Sequence, residues 1–392
     1  MRKKSVRDAD AAGKRVLVRA DLNVPLDDGS IADDTRIRAS LPTIELLRER
    51  GARIVLVSHL GRPEGEDPSL SMWPVAERLG ELLGAEVALA PAVVGADVEG
   101  MAAGLADGEV LLLENSRYEP GEAKDDPELA KALAALADLY VNDAFGAAHR
   151  AHATTHGVAQ HMEGHSGLLL EREVEELTRV RDDAERPLIL VLGGSKVTDK
   201  IGVIGRFLDE ADEILIGGAM CFSFFKAEGR DVGRSLVDDE SVAAAKEIIP
   251  RAGEAKATLH LPEDLVLGRE FDAGTEIKDL NGIDVPEGWM GLDIGTNTAA
   301  KYAKRISGGG TIFWNGPMGA FELPPFSVGT RAVAEAVAGA DGHTVVGGGD
   351  SAAALVQFGL GDDVDWLSTG GGASLELIEG KKLPGVEALA DG

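Results

Sequence analysis

Histidines and an arginine cluster in one short stretch of a strongly acidic chain. Residues 142–156 read NDAFGAAHRAHATTH and contain His149, Arg150, His152 and His156, whereas the whole chain has a formal net charge of −28. Imidazoles at this spacing can converge on zinc, and an arginine can fork onto a phosphate. A third interpretation is that these are scattered surface or core histidines that bind nothing.

Further cations follow several predicted strands in the first half of the chain. The carboxyl ends of neighbouring parallel strands meet at one edge of a sheet, so these side chains predict a basic pocket for a small polyanion. Zinc is the weaker interpretation, because a metal cluster should bring carboxylates or cysteines at ligand spacing and arginines would repel a cation. The cations are Arg19, Arg36, His59, Arg62, Arg117 and Arg150.

A second group of cations lies in LGGSKVTDKIG, residues 192–202. Lys196 and Lys200 stand four positions apart at a predicted strand-to-helix turn, on one face if the segment is helical. The helix dipole disfavours cations at a helix start, which indicates that a bound anion offsets it. A solvated helix start is the plainer alternative, but we interpret both lysines as phosphate ligands.

Glycine turns follow nearly every predicted strand of the second half. Glycines let backbone N–H groups approach a phosphate, and the helix N-termini that follow favour its charge. One such turn indicates only a tight bend, but five in one domain favour nucleotide binding. The turns are Gly193-Gly194, Gly217-Gly218, Gly316, Gly347-Gly348-Gly349 and Gly370-Gly371-Gly372.

An anion pocket in one domain and a nucleotide pocket in the other are typical of a small-molecule kinase. Phosphoryl transfer needs mainly positioning and charge neutralisation, with Mg²⁺ on the nucleotide phosphates. Asp350 is the candidate to meet that metal, and Ser351 behind it can cap the next helix. No general base is evident, which fits an acceptor carboxylate that is already ionised at neutral pH.

The elements that must position these residues alternate between short apolar runs and longer stretches of helical period. This alternation predicts parallel sheets in an α/β fold, and a length of 392 residues suggests about two or three domains. Residues 165–184, HSGLLLEREVEELTRVRDDA, have the apolar stripe of one helix. We therefore predict an N-terminal domain over residues 1–165, a connecting helix over 166–184 and a C-terminal domain over 185–379.

The composition argues against several classes of protein. No apolar run approaches the roughly 18 residues of a membrane span, no secretory signal begins the chain, and the lone Cys221 fits a reducing cytoplasm. The acidic residues are scattered rather than massed in a tail, which favours a salt-rich cytoplasm. No basic face is apparent, so we expect neither nucleic acid nor a membrane as a partner.

Eight motifs in chain order resemble the phosphoglycerate kinase family: VRADLNVP, SHLGRP, YVNDAFGAAHRAH, LGGSKVTDKI, WMGLDIG, FWNGPMGAFE, VVGGGDS and STGGGASLELIEG. The resemblance implies Mg²⁺-dependent phosphoryl transfer between 1,3-bisphosphoglycerate with ADP and 3-phosphoglycerate with ATP, in glycolysis. It also implies a monomer with two Rossmann-like, doubly wound domains joined by a hinge helix, with residues 380–392 returning to the first domain. The negative charge suggests an acidic, halophile-like member.

The same resemblance implies roles for individual residues. Arg36 would bind the substrate carboxylate and stabilise the transferring phosphoryl group, and Lys196, Lys200 and Gly349 would be the other catalytic positions. The glycerate and its phosphate would be bound by Asp21, Asn23, Arg36, His59, Leu60, Gly61, Arg62, Arg117 and Arg150. The nucleotide would be bound by Gly193, Gly194, Lys196, Lys200, Gly218, Leu292, Asn315, Pro317, Glu322, Gly348, Gly349, Asp350 and Ser351, with magnesium on Asp350.

Some residues depart from the family pattern, and two rival interpretations stay open. Ser195, Ala219 and Thr296 bear on fine contacts of the adenine pocket, and His156, His161 and His165 are interpreted as local substitutions. A nicotinamide-dependent dehydrogenase is the main rival, although the dinucleotide fingerprint is not found. A nucleotide-binding protein without catalysis is the second, and the presence of Arg36 and Asp350 argues against it.

Overall fold

The computed structural model describes residues 3–392 as two compact units. Unit 1 comprises residues up to Glu175 together with Lys381–Gly392, and unit 2 comprises Glu176–Gly380. Each unit is built on its own parallel six-stranded sheet. The predicted α/β class with two parallel-sheet domains is therefore confirmed.

The strands and helices follow in chain order. The strands are β1 (Arg15–Arg19), β2 (Leu26–Asp27), β3 (Ser30–Ile31), β4 (Arg53–Val57), β5 (Val87–Leu89), β6 (Val110–Leu112), β7 (Leu139–Asn142), β8 (Gly164–Ser166), β9 (Leu188–Leu192), β10 (Glu213–Ile216), β11 (Thr258–His260), β12 (Leu265–Gly268), β13 (Ile277–Leu280), β14 (Met290–Ile294), β15 (Thr311–Asn315), β16 (His343–Gly347) and β17 (Trp366–Leu367). The helices are α1 (Thr35–Glu49), α2 (Trp73–Leu83), α3 (Ala96–Gly104), α4 (Pro127–Ala134), α5 (Leu168–Asp182), α6 (Ile201–Phe207), α7 (Cys221–Ala227), α8 (Asp239–Glu254), α9 (Thr296–Ile306), α10 (Val328–Ala338), α11 (Gly349–Phe358), α12 (Gly372–Ile378) and α13 (Pro384–Glu387).

The sheet of unit 1 has the strand order β5-β6-β4-β1-β7-β8. β1 lies inside it and pairs in parallel with β4 and β7. Successive residues of β1, such as Val16 and Leu17, are both fully buried, because helices cover both faces of a parallel sheet. This explains why its strands read as continuous apolar runs. The loops after these strands all leave from one edge of the sheet.

The C-terminal segment belongs to unit 1. Lys3 forms an ion pair with Asp391 at 2.9 Å, and the backbone N–H of Gly385 donates to the carbonyl of Ala148 at 2.9 Å. The Asn142 side chain donates to the Gly385 carbonyl at 3.1 Å. The end of the chain is thus held against the loop that follows β7.

Unit 2 contains a parallel sheet in the order β11-β10-β9-β15-β16-β17 and an antiparallel sheet in the order β13-β12-β14. Trp314 of β15 is fully buried, and Val191 of β9 and Val346 of β16 lie in the same core cluster. The apolar segment ATLHLPEDLVLG is divided between the two sheets as β11 and β12. A proline at residue 262 separates the two strands, and Pro rarely continues a strand inside a sheet.

The helix between the units is shorter than the predicted range of 166–184. α5 begins at Leu168 because Ser166 is a strand residue that pairs with Asn142. The buried Asp143 carboxylate accepts from the N–H groups of Leu169 and Leu170 at 2.9 and 3.2 Å, which satisfies donors that a helix start leaves unpaired. The boundary between the two units falls inside α5, after Glu175.

Candidate functional sites in the two units

In unit 1, the residues predicted to bind an anion lie at one edge of the sheet. Asp21 and Asn23 follow β1, the SHLGRP segment follows β4, Arg117 follows β6 and Arg150 follows β7. These four strands are neighbours in the order β6-β4-β1-β7, so their carboxyl ends deliver the loops together. Arg36 lies in the first turn of α1.

Arg36 and the loop after β1 are connected by direct contacts. Its Nη1 lies 3.3 Å from both carboxylate oxygens of Asp21 and donates to the carbonyl of Asn23 at 3.2 Å. The Asn23 side-chain oxygen accepts from the N–H of Gly61 at 2.8 Å. The loops after β1 and β4 are thereby fixed relative to each other and to Arg36.

The SHLGRP loop is also held from the side of β6. The Asn115 side chain accepts from the N–H of Leu60 at 3.1 Å and donates to its carbonyl at 2.8 Å. Leu60 is buried, whereas Arg62 two residues later is exposed. The loop thus has a fixed base and a charged residue available to a ligand.

The cations of unit 1 raise each other's electrostatic energy. Burial lowers the pKa of Arg117, and Arg19, Arg62 and Arg150 lower it further by repulsion. Burial and the neighbouring arginines hold the pKa of His59 well below its ordinary value. An anion placed among these cations would relieve their repulsion.

The histidines of the opening stretch have separate surroundings. The Arg150 Nε donates to the His149 Nε2 at 3.1 Å, and His156 lies 2.6 Å from the carboxylate of Asp125. His165 lies in β8 and approaches Glu163 at 3.8 Å. Among residues 3–392, no group of three or more His, Cys, Asp or Glu side chains is arranged to hold a metal ion.

His152 gives a testable dependence of stability on pH. Burial, followed by repulsion from Arg19 and Arg117, lowers the pKa of His152 to about 4. The ring is therefore neutral in the folded state between about pH 4 and 6.5, where the unfolded chain binds the proton. We expect the unfolding free energy of the wild type to fall by ~2 kcal/mol as the pH falls through this window. His152→Asn, which keeps an acceptor for the Thr155 N–H, should not show this decrease. Urea unfolding at about pH 4.5 and 7 measures it, and parallel pH profiles for the two proteins would contradict it.

Unit 2 contains a cavity of about 500 Å³ at the ends of β9, β10 and β15. Leu292 of β14 and Gly218, two of the residues expected to bind the nucleotide, lie in its wall. Glu322 and Asp350 also line it. The cavity has the apolar lining and few polar groups of a small-molecule pocket.

The predicted glycine turns shape this cavity and the adjoining strand ends. Each turn has one glycine with positive φ: Gly194, Gly218, Gly316, Gly348 and Gly371. A Cβ on Gly218 would lie 2.6 Å from the carbonyl oxygen of Gly194, so two backbones meet there more closely than any side chain allows. The strands before these turns, β10, β9, β15, β16 and β17, are neighbours in one sheet.

Lys196 and Lys200 do not share a helical face, because the segment that contains them is not helical. α6 begins at Ile201, and the residues from Gly193 to Lys200 form a loop. Lys196 is exposed, whereas Lys200 is 8% exposed and burial lowers its pKa. The Nζ of Lys200 lies 3.4 Å from the point where a Cβ on Gly194 would be, so the ammonium lies against the first glycine turn.

The segment after β16 differs from the prediction in one detail. Asp350 is exposed in the first turn of α11, and Gly348 rather than Ser351 occupies the N-cap. The buried Ser351 hydroxyl instead accepts from the N–H of Gly316 at 2.6 Å. Asn315 is 4% exposed and lies beside Gly348, which places the ends of β15 and β16 in one polar surface.

Two groups of residues at these sites were not predicted as ligands. In unit 1, Glu122 and Thr154 lie buried behind the cation cluster. Thr154 accepts a hydrogen bond from Arg19 and donates one to Glu122. In unit 2, Leu236 and Phe271 line the cavity although they are 63% and 64% exposed. An arginine at the end of an apolar strand was a visible signal for Arg19, but neither the threonine nor the apolar rim stands in a motif that marks it.

A cluster of cations on one α/β unit and a glycine-walled cavity on the other, with Lys200 beside its first glycine turn, are the features of a kinase of small molecules. A family profile described as phosphoglycerate kinase matches residues 6–381. The phosphoglycerate kinase of Thermosipho africanus is 52% identical over all of this chain and 98% of its own length. The chain belongs to the phosphoglycerate kinase family, and its activity is that of a phosphotransferase with a carboxyl group as acceptor.

Solved structures agree with this assignment. The phosphoglycerate kinase of Coxiella burnetii has a TM-score of 0.88 at 40% identity, over 98% of both chains. That of Pyrococcus horikoshii has a TM-score of 0.85 at 33% identity, also over 98% of both chains. Neither a nicotinamide-dependent dehydrogenase nor a nucleotide-binding protein without catalysis is favoured by these findings. No helix within residues 3–392 combines the length and apolar character that crossing a bilayer requires.

Proposed function

We propose that the cation cluster of unit 1 binds 3-phosphoglycerate and that the cavity of unit 2 binds the nucleotide with Mg²⁺. The observation that supports this most strongly is the separation of ligand types: arginines surround a polar site in unit 1, whereas glycines and an apolar wall form the cavity of unit 2. An acyl phosphate and a nucleoside diphosphate require these two kinds of site. The protein then exchanges a phosphoryl group between them.

Arg36 is the proposed ligand of the reacting carboxylate. Its guanidinium is 35% exposed and is oriented by Asp21, so one side is held while the rest can meet an anion. Arg62, Arg117, Arg150 and His59 are proposed around the phosphate of the glycerate. Lys196, Lys200 and the backbone N–H of Gly349 are proposed to stabilise the charge of the moving phosphoryl group.

Asp350 is the proposed contact to magnesium. Mg²⁺ usually keeps several waters and binds through one or two carboxylates together with substrate phosphates. An exposed carboxylate at the rim of the unit 2 cavity fits such a shared site. When bound, the ion would neutralise charge on the nucleotide phosphates. Asp350 would orient the nucleotide through it, while the buried Ser351 and Asn315 lie behind the surface that would meet the phosphates.

Transfer requires the two units to bring their ligands together, so hinge closure is part of the proposal. Cytoplasmic location and a monomeric state are proposed with it. The test is a coupled assay with 3-phosphoglycerate and ATP, with Mg²⁺ and with excess chelator. We expect turnover only with Mg²⁺. Equal rates in chelator would contradict the magnesium assignment, and no turnover in either condition would contradict the proposed substrates.

The surface charge is proposed to be an adaptation to salt. At a net charge of −28, scattered carboxylates repel one another and also repel anionic substrates. Screening shortens the reach of this repulsion from ~10 Å at about 0.1 M salt to ~3 Å at about 1 M. We expect both the melting temperature and the initial rate to rise from dilute buffer to molar KCl. A melting temperature independent of KCl, with the rate highest in dilute buffer, would contradict the adaptation.

A further inference from the structure

Arg19 is fully buried at the end of β1, behind the cation cluster of unit 1, and its hydrogen bonds have a fixed direction. Its Nε lies 2.9 Å from the Thr154 hydroxyl, and its Nη2 lies 2.8 Å from the His59 Nδ1. Nη1 contacts the Ala20 carbonyl and lies 3.5 Å from the Ser58 hydroxyl. A guanidinium has donors only and does not lose its proton in proteins. Thr154 Oγ1 and His59 Nδ1 must therefore both act as acceptors.

The Thr154 hydroxyl in turn donates a hydrogen bond to a buried carboxylate. Because it accepts from Arg19, its own proton is available to Glu122 Oε1, which lies 2.6 Å away. The Thr154 backbone N–H donates to the other carboxylate oxygen at 3.0 Å. Glu122 is 1% exposed, so its charge is compensated inside the protein by Arg19 across one hydroxyl group. Glu122, Thr154, Arg19 and His59 thus form a hydrogen-bonded chain from a buried carboxylate to the imidazole at the cation cluster.

This chain determines which ring nitrogen of His59 carries the proton. With Nδ1 accepting, a neutral imidazole must be protonated on Nε2. A doubly protonated ring would place an N–H against the guanidinium. The other charged and titratable groups that act on His59 are Arg117 after β6, Arg36 of α1 and His152 after β7, and each of them also disfavours a cationic ring.

We propose that Arg19, held by Thr154 and Glu122, is a positioning residue that fixes His59 as the neutral Nε2–H tautomer, a hydrogen-bond donor to the bound anion. The part that concerns the anion rests on the proposed function of the unit 1 cluster. His59 thus contributes one directed hydrogen bond, whereas the arginines contribute the charge. This role explains an arginine that the fold buries completely although no carboxylate among residues 3–392 contacts it directly.

The tautomer is measured without any ligand, by NMR of the full-length protein with ¹⁵N-labelled histidine. His59→Gln identifies the His59 ring signals by their loss. We expect a bare Nδ1 and a protonated Nε2 from about pH 8 down to about pH 5.5, below the ordinary histidine pKa of ~6.5. A protonated Nδ1, either alone or in a doubly protonated ring at neutral pH, would overturn the proposal. This result does not depend on whether 3-phosphoglycerate is the substrate.

The effect on binding is tested with Arg19→Lys. Thr154→Val, which removes only one hydroxyl group, is the second variant and serves if the arginine variant does not fold. Thr344→Val is the matched control, because that buried hydroxyl also donates to a carboxylate, Asp365, but lies in unit 2. We expect Arg19→Lys and Thr154→Val, where they fold, to show mixed His59 tautomers. Their KM for 3-phosphoglycerate should rise ~10-fold, the order of one hydrogen bond to a charged group. Wild-type tautomer and KM in Thr154→Val, or an equal change in Thr344→Val, would contradict the positioning role.

A rescue experiment separates the donor from the ring itself. The amide nitrogen of a glutamine reaches about as far as Nε2, whereas that of an asparagine reaches only as far as Nδ1. We expect His59→Gln to keep the KM for 3-phosphoglycerate at least ~5-fold lower than His59→Asn, with similar kcat in both, as expected for one hydrogen bond. The reverse order would show that Nδ1 is the working nitrogen and would overturn the proposal.

Discussion

Arg36→Ala is expected to lower kcat by about 10³-fold or more, as the loss of a preorganised cation on a transferring phosphoryl group does elsewhere. The structure adds a second reason for a large effect. Asp21 is 5% exposed and its carboxylate is paired with Arg36. Without the guanidinium, this negative charge would face the anionic substrate. Initial rates at saturating 3-phosphoglycerate and MgATP measure the change.

Two further variants make the Arg36 result specific. Arg36→Lys should not restore activity, because an ammonium lacks the planar fork that meets both Asp21 and a carboxylate. Arg38→Ala is the control on the same helix, since Arg38 is 54% exposed and pairs with Asp34 at i−4. It should leave kcat within about twofold of wild type, as surface ion pairs contribute little. Arg36→Ala within tenfold of the wild-type kcat would remove the residue from its proposed role.

Lys200→Met is expected to lower kcat by about 10²-fold to 10³-fold, the range seen when one stabilising donor is removed from a transition state. Lys200 is 8% exposed, and the cost of keeping an ammonium buried lowers its pKa. Nucleotide phosphates would compensate that cost, so the lysine should act most strongly when the transferring charge is greatest. The measurement is kcat and the KM for MgATP in the same assay.

Lys301→Met is the matched control for Lys200. It removes an exposed lysine of α9 whose ion pair with Glu263 lies at the surface of the same unit. We expect wild-type kinetics from the control. If Lys200→Met changed only the KM for MgATP and left kcat unaltered, Lys200 would be a binding residue and not one that stabilises the transition state.

The pattern of the sequence was enough to predict the parallel sheets, because strands buried on both faces read as short apolar runs such as residues 15–19 and 188–192. Strands without such a run were missed. β8 is only Gly164–Ser166, and β13 carries exposed residues in an antiparallel edge position. The start of α5 was misplaced because Asp143 accepts from its first turn and Asn142 holds Ser166 in a strand, and both partners are distant in the sequence but adjacent in the fold.

The candidate sites were predictable to the extent that charge and glycine mark them in the sequence. Arginines after apolar strands and glycine turns after others identified the loops that the structure brings to the two sheet edges. The buried pair Thr154 and Glu122 could not be found in this way, because Thr154 reaches Arg19, and Glu122 reaches Thr154, from segments far away in the chain. Ser351 was predicted as a cap and instead accepts from Gly316, since the helix begins two residues earlier, at Gly349.

Calorimetric titration of two full-length variants tests the division of ligands between the units most directly. Arg62→Ala removes an exposed arginine of unit 1, and Glu322→Ala removes an exposed carboxylate at the cavity of unit 2. Each variant serves as the control for the other, since each ligand should sense only one of them.

We predict that Arg62→Ala raises the Kd of 3-phosphoglycerate about tenfold, the loss of one charged hydrogen bond, and leaves the Kd of MgADP within about twofold of wild type. Glu322→Ala should do the converse. If Arg62→Ala weakened MgADP binding and spared 3-phosphoglycerate, or if Glu322→Ala weakened 3-phosphoglycerate and spared MgADP, the assignment of the two substrates to the two units would be wrong.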